Sequence, residues 1–265
     1  MIYTTGAEFR AARDKRVLLF GMSGLGKTHL SNLLRDAPVS QGGGWFHYSV
    51  DYRIGTRYMG EYIADNFKRE AMKVPLLREL LMTDSVYIAS NITFNNLAPL
   101  STYLGKPGDP GRGGVPFAEY CTRQAQHREA EIAALLDTPR FIDRARDIYG
   151  YENFVCDSGG SICEVVNPAD STDPVMKALS DNLLLVWIKG SDAHRDELIR
   201  RFDRARLQLD GRKRFALAGD ECKACRRRIP RAAGPLGLDV EGRINDVGDH
   251  GDTDQGRDRP DSPHQ

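Results

Sequence analysis

Val17-Leu18-Leu19-Phe20-Gly21-Met22-Ser23-Gly24-Leu25-Gly26-Lys27-Thr28 decides the fold. The apolar run Val17 to Phe20 reads as a buried parallel strand. Gly21 to Thr28 then has the pattern Gly-x-x-x-x-Gly-Lys-Thr, and His29-Leu30-Ser31-Asn32-Leu33-Leu34-Arg35 continues as a helix with Leu30, Leu33 and Leu34 on one face. Strand, glycine loop and helix form the setting in which this pattern is a phosphate-binding loop. Gly21, Gly24 and Gly26 let the backbone turn tightly, so that the N–H groups of the loop, from Gly21 through Met22, Ser23 and Leu25 to Thr28, can face phosphate oxygens. The helix N-terminus favours an anion at the same place. Lys27 is expected to reach the β- and γ-phosphates of a nucleotide, and the Thr28 hydroxyl to ligate Mg²⁺.

The next apolar run, Trp45-Phe46-His47-Tyr48-Ser49-Val50, predicts a second strand that delivers Asp51 to its carboxyl end. Ligands of open parallel sheets lie outside those ends. Asp51 can accept a proton from an attacking hydroxyl, or help hold Mg²⁺ through water. Arg53 and Arg57 can clamp a carboxylate or phosphate by paired hydrogen bonds. The plain alternative is a helix cap followed by solvated arginines.

Phe154-Val155-Cys156-Asp157 is a further strand ending in a carboxylate, expected to meet Mg²⁺ opposite Thr28. Ser158, Gly159 and Gly160 follow, with two glycines that admit a substrate close to the backbone. A strand-ending turn explains the same residues. Leu183 to Ile188 predicts another buried parallel strand, and Ala193 to Ala205 an arginine-rich helix with acidic partners.

Between these units, Tyr58 to Met82 reads as helical with a break at Val74-Pro75, and Val86-Tyr87-Ile88-Ala89 as a short strand. Gly105 to Gly114 is a mobile surface loop by composition, with Lys106 and Arg112 on it. Phe117 to Leu136 predicts a long helix. Ala125, Ile132, Ala133, Leu135 and Leu136 are its apolar positions, and His127 lies on its charged side. Thr138 and Pro139 are placed to cap and open the next helix.

The 265 residues suit one α/β domain with an appendage, and the formal net charge of zero gives no sign of a nucleic-acid or anionic-membrane partner. No apolar run approaches the ~20 residues of a membrane span. The first residues lack the pattern of a secretion signal. The five cysteines are scattered and odd in number, which does not suggest a disulfide framework, so a cytoplasmic protein is expected. From residue 206 the composition changes. Phe215 is the only aromatic residue, basic residues cluster at Arg226-Arg227-Arg228, and acidic ones follow among glycines and prolines. Such a segment predicts a disordered tail. Cys222 and Cys225 form a pair without the further ligands that zinc requires.

Residues 1–205 resemble the small-molecule branch of the P-loop kinases, the shikimate- and gluconate-kinase-like enzymes. The glycine loop, Asp51 with Arg53, Asp157-Ser158-Gly159-Gly160 and the arginine helix fall in that order. The similarity is closer still to an uncharacterised group of small bacterial ATPases, through Phe20 to Asn32, Phe46 to Met59, Tyr87 to Pro110 and Phe154 to Val166. The resemblance implies a three-layer P-loop NTPase fold with a mostly parallel sheet. It also implies Mg²⁺-ATP as cosubstrate and phosphoryl transfer to a small hydroxylated or acidic acceptor. Lys27 and Asp51 would be catalytic, Thr28 and Asp157 would hold the metal, and Arg53, Arg57, Ser158, Gly159 and Gly160 would bind the acceptor. A nucleotide-dependent switch acting on a protein partner is the rival class, and an inactive copy the third reading. The tail departs from the family pattern, which continues with a further strand and an adenine-packing loop. A shifted reading frame or replaced terminus would produce that departure. The sequence does not set the oligomeric state.

Overall fold

The computed structural model describes residues 3–167 and 169–204. The expectations for residues 206–265, including the tail and the Cys222/Cys225 pair, lie outside the described residues. The chain is an α/β structure built on β1 (Arg16–Phe20), β2 (Trp45–Ser49), β3 (Asn153–Asp157) and β4 (Leu184–Trp187). All neighbours are parallel, in the order β2-β3-β1-β4. Leu19 and Ser49 both stand opposite Asp157. The carboxyl ends of β1, β2 and β3 are therefore level, and the segments that follow them emerge side by side.

Side chains alternate between the faces of the sheet, as the period of two requires. Leu18, Tyr48, Phe154 and Cys156 enter the larger core with Ile54, Ile63, Ala134, Leu135, Ile142 and Leu179. Val17, Leu19, Trp45 and Val155 enter a smaller one with Phe9 and Leu34. Burial on both faces explains why β1 and β3 are runs of apolar residues rather than alternating ones.

The helices are α1 (Gly6–Ala11), α2 (Lys27–Asp36), α3 (Val50–Arg53), α4 (Gly60–Ala71), α5 (Pro75–Met82), α6 (Ala98–Leu104) and α7 (Phe117–Leu136). They continue with α8 (Thr138–Asp147), α9 (Ile162–Val165), α10 (Pro174–Ser180) and α11 (Asp192–Arg204). A π-helical turn, Ile54–Tyr58, joins α3 to the residues before α4. Pro75 opens α5 as the Val74-Pro75 break predicts, and Asp173 caps α10 by accepting from Met176 N–H.

Several expectations are corrected. The predicted apolar face of α2 is largely exposed: Leu33 is 53% accessible and Leu30 is also exposed, while Leu34 alone of the three packs on the smaller core. The helix instead turns Lys27 and Ser31 inward, four residues apart on one face. Val86 to Ala89 forms no strand and lies largely exposed after α5, with only Ile88 half-buried, and α5 is a helix without a buried residue. β4 is a half-buried edge, not a buried strand; Trp187 is 51% accessible, and among the described residues only β1 pairs with it. The 105–114 loop is closed by Val115 N–H to Lys106 O at 2.8 Å, Gly108 N–H to Val115 O at 2.9 Å and Gly114 N–H to Asp109 O at 2.9 Å. Thr138 is the wholly buried first residue of α8 rather than its cap, a place taken by Asp137. Among the described residues no helix is long and apolar enough to cross a membrane.

Candidate functional site

The segment between β1 and α2 turns through three glycines with positive φ: Gly21 at 146°, Gly24 at 78° and Gly26 at 81°. Only glycine takes such angles without strain. The requirement at Gly21 is also steric, because a Cβ there would lie 2.5 Å from the carbonyl oxygen of Ile188, just past β4. On the other side, a Cβ on Gly160 would lie 3.0 Å from Ser23 N. The loop is thus held between the segments that leave β4 and β3. Its last glycine, Gly26, precedes an α2 N-terminus that no side chain caps, which leaves backbone N–H groups available to an anion.

Lys27 is the first residue of α2 and is only 7% accessible. Its Nζ donates to Gly21 O at 2.8 Å and Met22 O at 2.9 Å, so the ammonium sits inside the curl of the loop. Burial lowers its pKa, and the carboxylates of Asp51 and Asp157 oppose that shift. Thr28 is half-buried beside it.

Asp51 follows β2 in α3, a turn started by Ser49, whose side chain accepts from Tyr52 N–H. Burial pushes the Asp51 carboxyl up to about 6; Asp157 adds to the rise and Lys27 works against it. Asp157, the last residue of β3, is buried, with Oδ1 lacking a hydrogen-bond partner and 3.3 Å from Nε2 of His47. Ser158 ties the end of β3 to β1, since its N–H and its hydroxyl both donate to Leu19 O, at 3.1 and 3.2 Å. The carboxylates of Asp51 and Glu131 both approach Gly159. A Cβ there would lie 3.0 Å from Asp51 Oδ1, 3.1 Å from Glu131 Oε1 and 3.4 Å from Ser161 Oγ.

Glu131 is absent from the sequence reading, and His47 enters it only as a residue of the second strand. Glu131 lies on α7 at 1% accessibility, between Ala130 and Ala134 on the buried stripe. Its Oε2 accepts from Ser161 Oγ at 2.7 Å, and its Oε1 is buried without a partner. Burial pushes its carboxyl up to about 7; the Ser161 hydrogen bond acts against this, and Asp51 and Glu164 add to it. His127, one turn earlier, is also mostly buried rather than on the charged surface. Its Nδ1 is 4.0 Å from Glu131 Oε2, and burial keeps its pKa below the ordinary value. The available signal was the spacing of Glu131 from His127 and Leu135, four residues each way, on a helix whose Ala130 and Ala134 face the core.

The two arginines predicted after β2 separate. Arg53 donates from Nε and Nη2 to Asp137 Oδ2, at 2.9 and 2.6 Å, and Tyr58 donates its hydroxyl to the same oxygen at 2.7 Å. Its guanidinium lies over Phe141, 4.9 Å from the ring centre. Arg53 thereby ties α3 to the α7–α8 junction. Arg57 is exposed on the π-helical turn.

The structure therefore brings together the Gly21–Thr28 loop, Asp51, Asp157, Gly159 and Gly160. It commits Ser158 to the sheet and Arg53 to Asp137. Among the described residues no group of three or more His, Cys, Asp or Glu side chains is arranged to hold a metal ion by itself. The orphaned, buried Oδ1 of Asp157 and the Thr28 hydroxyl instead fit a Mg²⁺ that arrives with phosphate oxygens, since this ion needs few protein ligands. No protein-family model, curated protein or solved structure matches the chain.

Proposed function

We propose that this chain binds Mg²⁺-ATP through the Gly21–Thr28 loop and transfers the γ-phosphoryl group to a small hydroxylated or acidic acceptor, on a P-loop kinase-like fold. The observation that carries this reading is Lys27. Its buried ammonium is bonded to Gly21 O and Met22 O at an uncapped helix start, in the field of Asp51 and Asp157. A desolvated cation at a helix N-terminus is suited to the charge of transferring phosphate oxygens.

In this reading Lys27 exchanges its carbonyl partners for β- and γ-phosphate oxygens, and the loop N–H groups take the remaining charge. Thr28 and Asp157 would hold Mg²⁺, which supplies further charge neutralisation when bound. Asp51 accepts the acceptor's hydroxyl proton as that oxygen bonds to the γ-phosphorus and the bond to ADP breaks. Its raised pKa, about 6, suits a base that works near neutrality. Gly159 and Gly160 let the acceptor approach the backbone, and Arg57 lies on the adjoining turn.

Thermal unfolding of the full chain with and without Mg²⁺-ATP tests this reading. A ligand of the native state raises the midpoint. A rise that Lys27→Ala removes, together with acceptor-dependent ADP release, is the expected result. A cooperative protein indifferent to nucleotide overturns it.

A nucleotide-dependent ATPase acting on a protein partner is the second reading. It is favoured by α5, which exposes Leu76, Leu77 and Met82 and buries no residue. Nucleotide hydrolysis that no small acceptor stimulates would move the balance to it.

A further inference from the structure

Two carboxylates and a hydroxyl converge on the face of Gly159. Asp51 Oδ1, Glu131 Oε1 and Ser161 Oγ lie 3.0, 3.1 and 3.4 Å from the point a Cβ would occupy. They come from three separate elements: the turn after β2, the middle of α7 and the segment before α9. Acidic side chains often sit together on surfaces without meaning. Here the second carboxylate is 99% buried by its 1% accessibility, and its Oε1 is an unpartnered acceptor directed at Gly159.

The neighbours do not supply the missing partner. Ser161 spends its hydroxyl proton on the other oxygen, Oε2, and so offers lone pairs to the cradle. His127 is 4.0 Å away and also on the Oε2 side. Glu164 adds only negative charge. Lys27 is bonded to Gly21 O and Met22 O. With both carboxyls ionised, three acceptors thus face one place that receives no donor from the described residues. Leaving a buried carboxylate oxygen unpaired costs stability, and a ligand donor at this place would remove that cost.

We propose that this cradle receives a primary ammonium group of the acceptor, which makes the acceptor an amino alcohol. The inference rests on the phosphotransfer reading above and narrows its acceptor class. An ammonium has three N–H donors for the three oxygens, and its charge offsets the two carboxylates; a hydroxyl has one donor, and an acidic acceptor would be repelled. The hydroxyl of the same molecule is then the atom phosphorylated. Its proton passes to the second oxygen of Asp51 as its oxygen bonds to the γ-phosphorus, and ADP leaves with the electrons of the broken P–O bond. Glycine at 159 keeps the cradle open, because a methyl there would touch both carboxylate oxygens.

The test uses the full chain at a pH where both carboxyls are ionised, with thermal unfolding as the readout. The probes are ethanolamine, choline and ethylene glycol, added as separate titrations at constant ionic strength. Choline keeps the charge and the hydroxyl but has no N–H donor; ethylene glycol replaces the ammonium with a hydroxyl. The expected result is a saturable rise with ethanolamine alone. Glu131→Gln should weaken it about tenfold or more, since a charged hydrogen-bond partner is lost. Gly159→Ala should abolish it, and its own unliganded unfolding curve shows whether it folds. Equal responses to ethanolamine and choline, an ethanolamine response unchanged in Glu131→Gln, or a response to MgCl₂ in its place overturn the proposal. Mg²⁺-ATP is titrated in the same samples. A nucleotide response without an ethanolamine response removes the cradle and leaves the phosphate site standing. The converse removes the phosphotransfer reading and leaves the cradle.

Discussion

Nε2 of His47 stands 3.3 Å from Oδ1 of Asp157, and solvent reaches almost none of either side chain. The pair joins β2 to the end of β3 on the sheet face that carries α2. It also brings the ring of Phe94 against His47, 5.0 Å between centres. His47→Leu removes the imidazole that stands beside the buried Oδ1. The expected cost is about 1–3 kcal/mol in urea denaturation. A Mg²⁺-dependent nucleotide response should weaken with it. Unchanged stability would show that Asp157 does not depend on the imidazole.

Lys27→Met separates stability from binding. The native environment lowers the pKa of Lys27, so folding penalises its charged form. That penalty is present below the folded pKa and disappears as pH rises through the unfolded value. Removing the ammonium relieves it and frees two carbonyl oxygens at the edge of the loop. The unliganded variant should therefore unfold within about 1 kcal/mol of the parent, while losing any response to nucleotide. A large loss of unliganded stability would make Lys27 a structural residue.

The raised carboxyls fix the sign of the pH dependence. Asp51 at about 6 and Glu131 at about 7 hold protons in the folded chain that the unfolded chain releases near pH 4. Stability from these groups is full below the unfolded values and falls as pH rises through the folded ones. For Glu131 the loss is on the order of 3 kcal/mol. Glu131→Gln should flatten this decline, matching the parent near pH 4 and exceeding it near pH 8. Denaturation midpoints across that range provide the check. If Asp51 is the base, the acid limb of kcat/KM should centre near pH 6.

The loop glycines should not respond alike to alanine. A Cβ on Gly26 meets nothing within 4 Å, so Gly26→Ala carries only the strain of φ 81°, roughly 1 kcal/mol. Gly21→Ala adds a clash with Ile188 O at 2.5 Å, which is backbone and cannot swing aside. Its cost should exceed that of Gly26→Ala by about 1 kcal/mol or more. Equal losses in denaturation would mean that the β4 exit does not hold the loop.

Arg53 offers a test between two roles. Arg53→Lys keeps the charge but loses the planar fork over Phe141 and Asp137. A structural role predicts about 1 kcal/mol of destabilisation with acceptor KM unchanged. A rise in acceptor KM at constant stability would restore it as a clamp.

Much of this was legible from Gly21 to Thr28 and from the strand ends. A parallel sheet turns apolar runs into strands, and its topology puts their following residues on one side. Asp51 and Asp157 could therefore be placed near the loop without coordinates. Glu131 was not legible. Its identity says solvent, and only the packing of α7 against the residues after β2 and β3 says otherwise. The partner of Arg53 was not legible either. The position of Arg53 was right, but Asp137 lies 84 residues further along the chain, and no local pattern announces the pair. Val86 to Ala89 shows the limit of an apolar run, which is a strand only where a neighbouring strand exists to pair with it.

The π-helical turn at Ile54–Tyr58 bears on how this chain tolerates changes of length. A wide turn holds one residue more than an α-helical path around the same axis. Gly55 sits in it without a side chain, where a Cβ would lie 2.8 Å from Ile92 Cδ1. A single-residue deletion at Thr56 or Arg57 can close the turn to α-helical geometry and leave Asp51, upstream, in place. An insertion at the same point has no slack to consume and must rotate α4 against the core. Length changes in this segment should therefore be asymmetric, with losses accepted and gains refused.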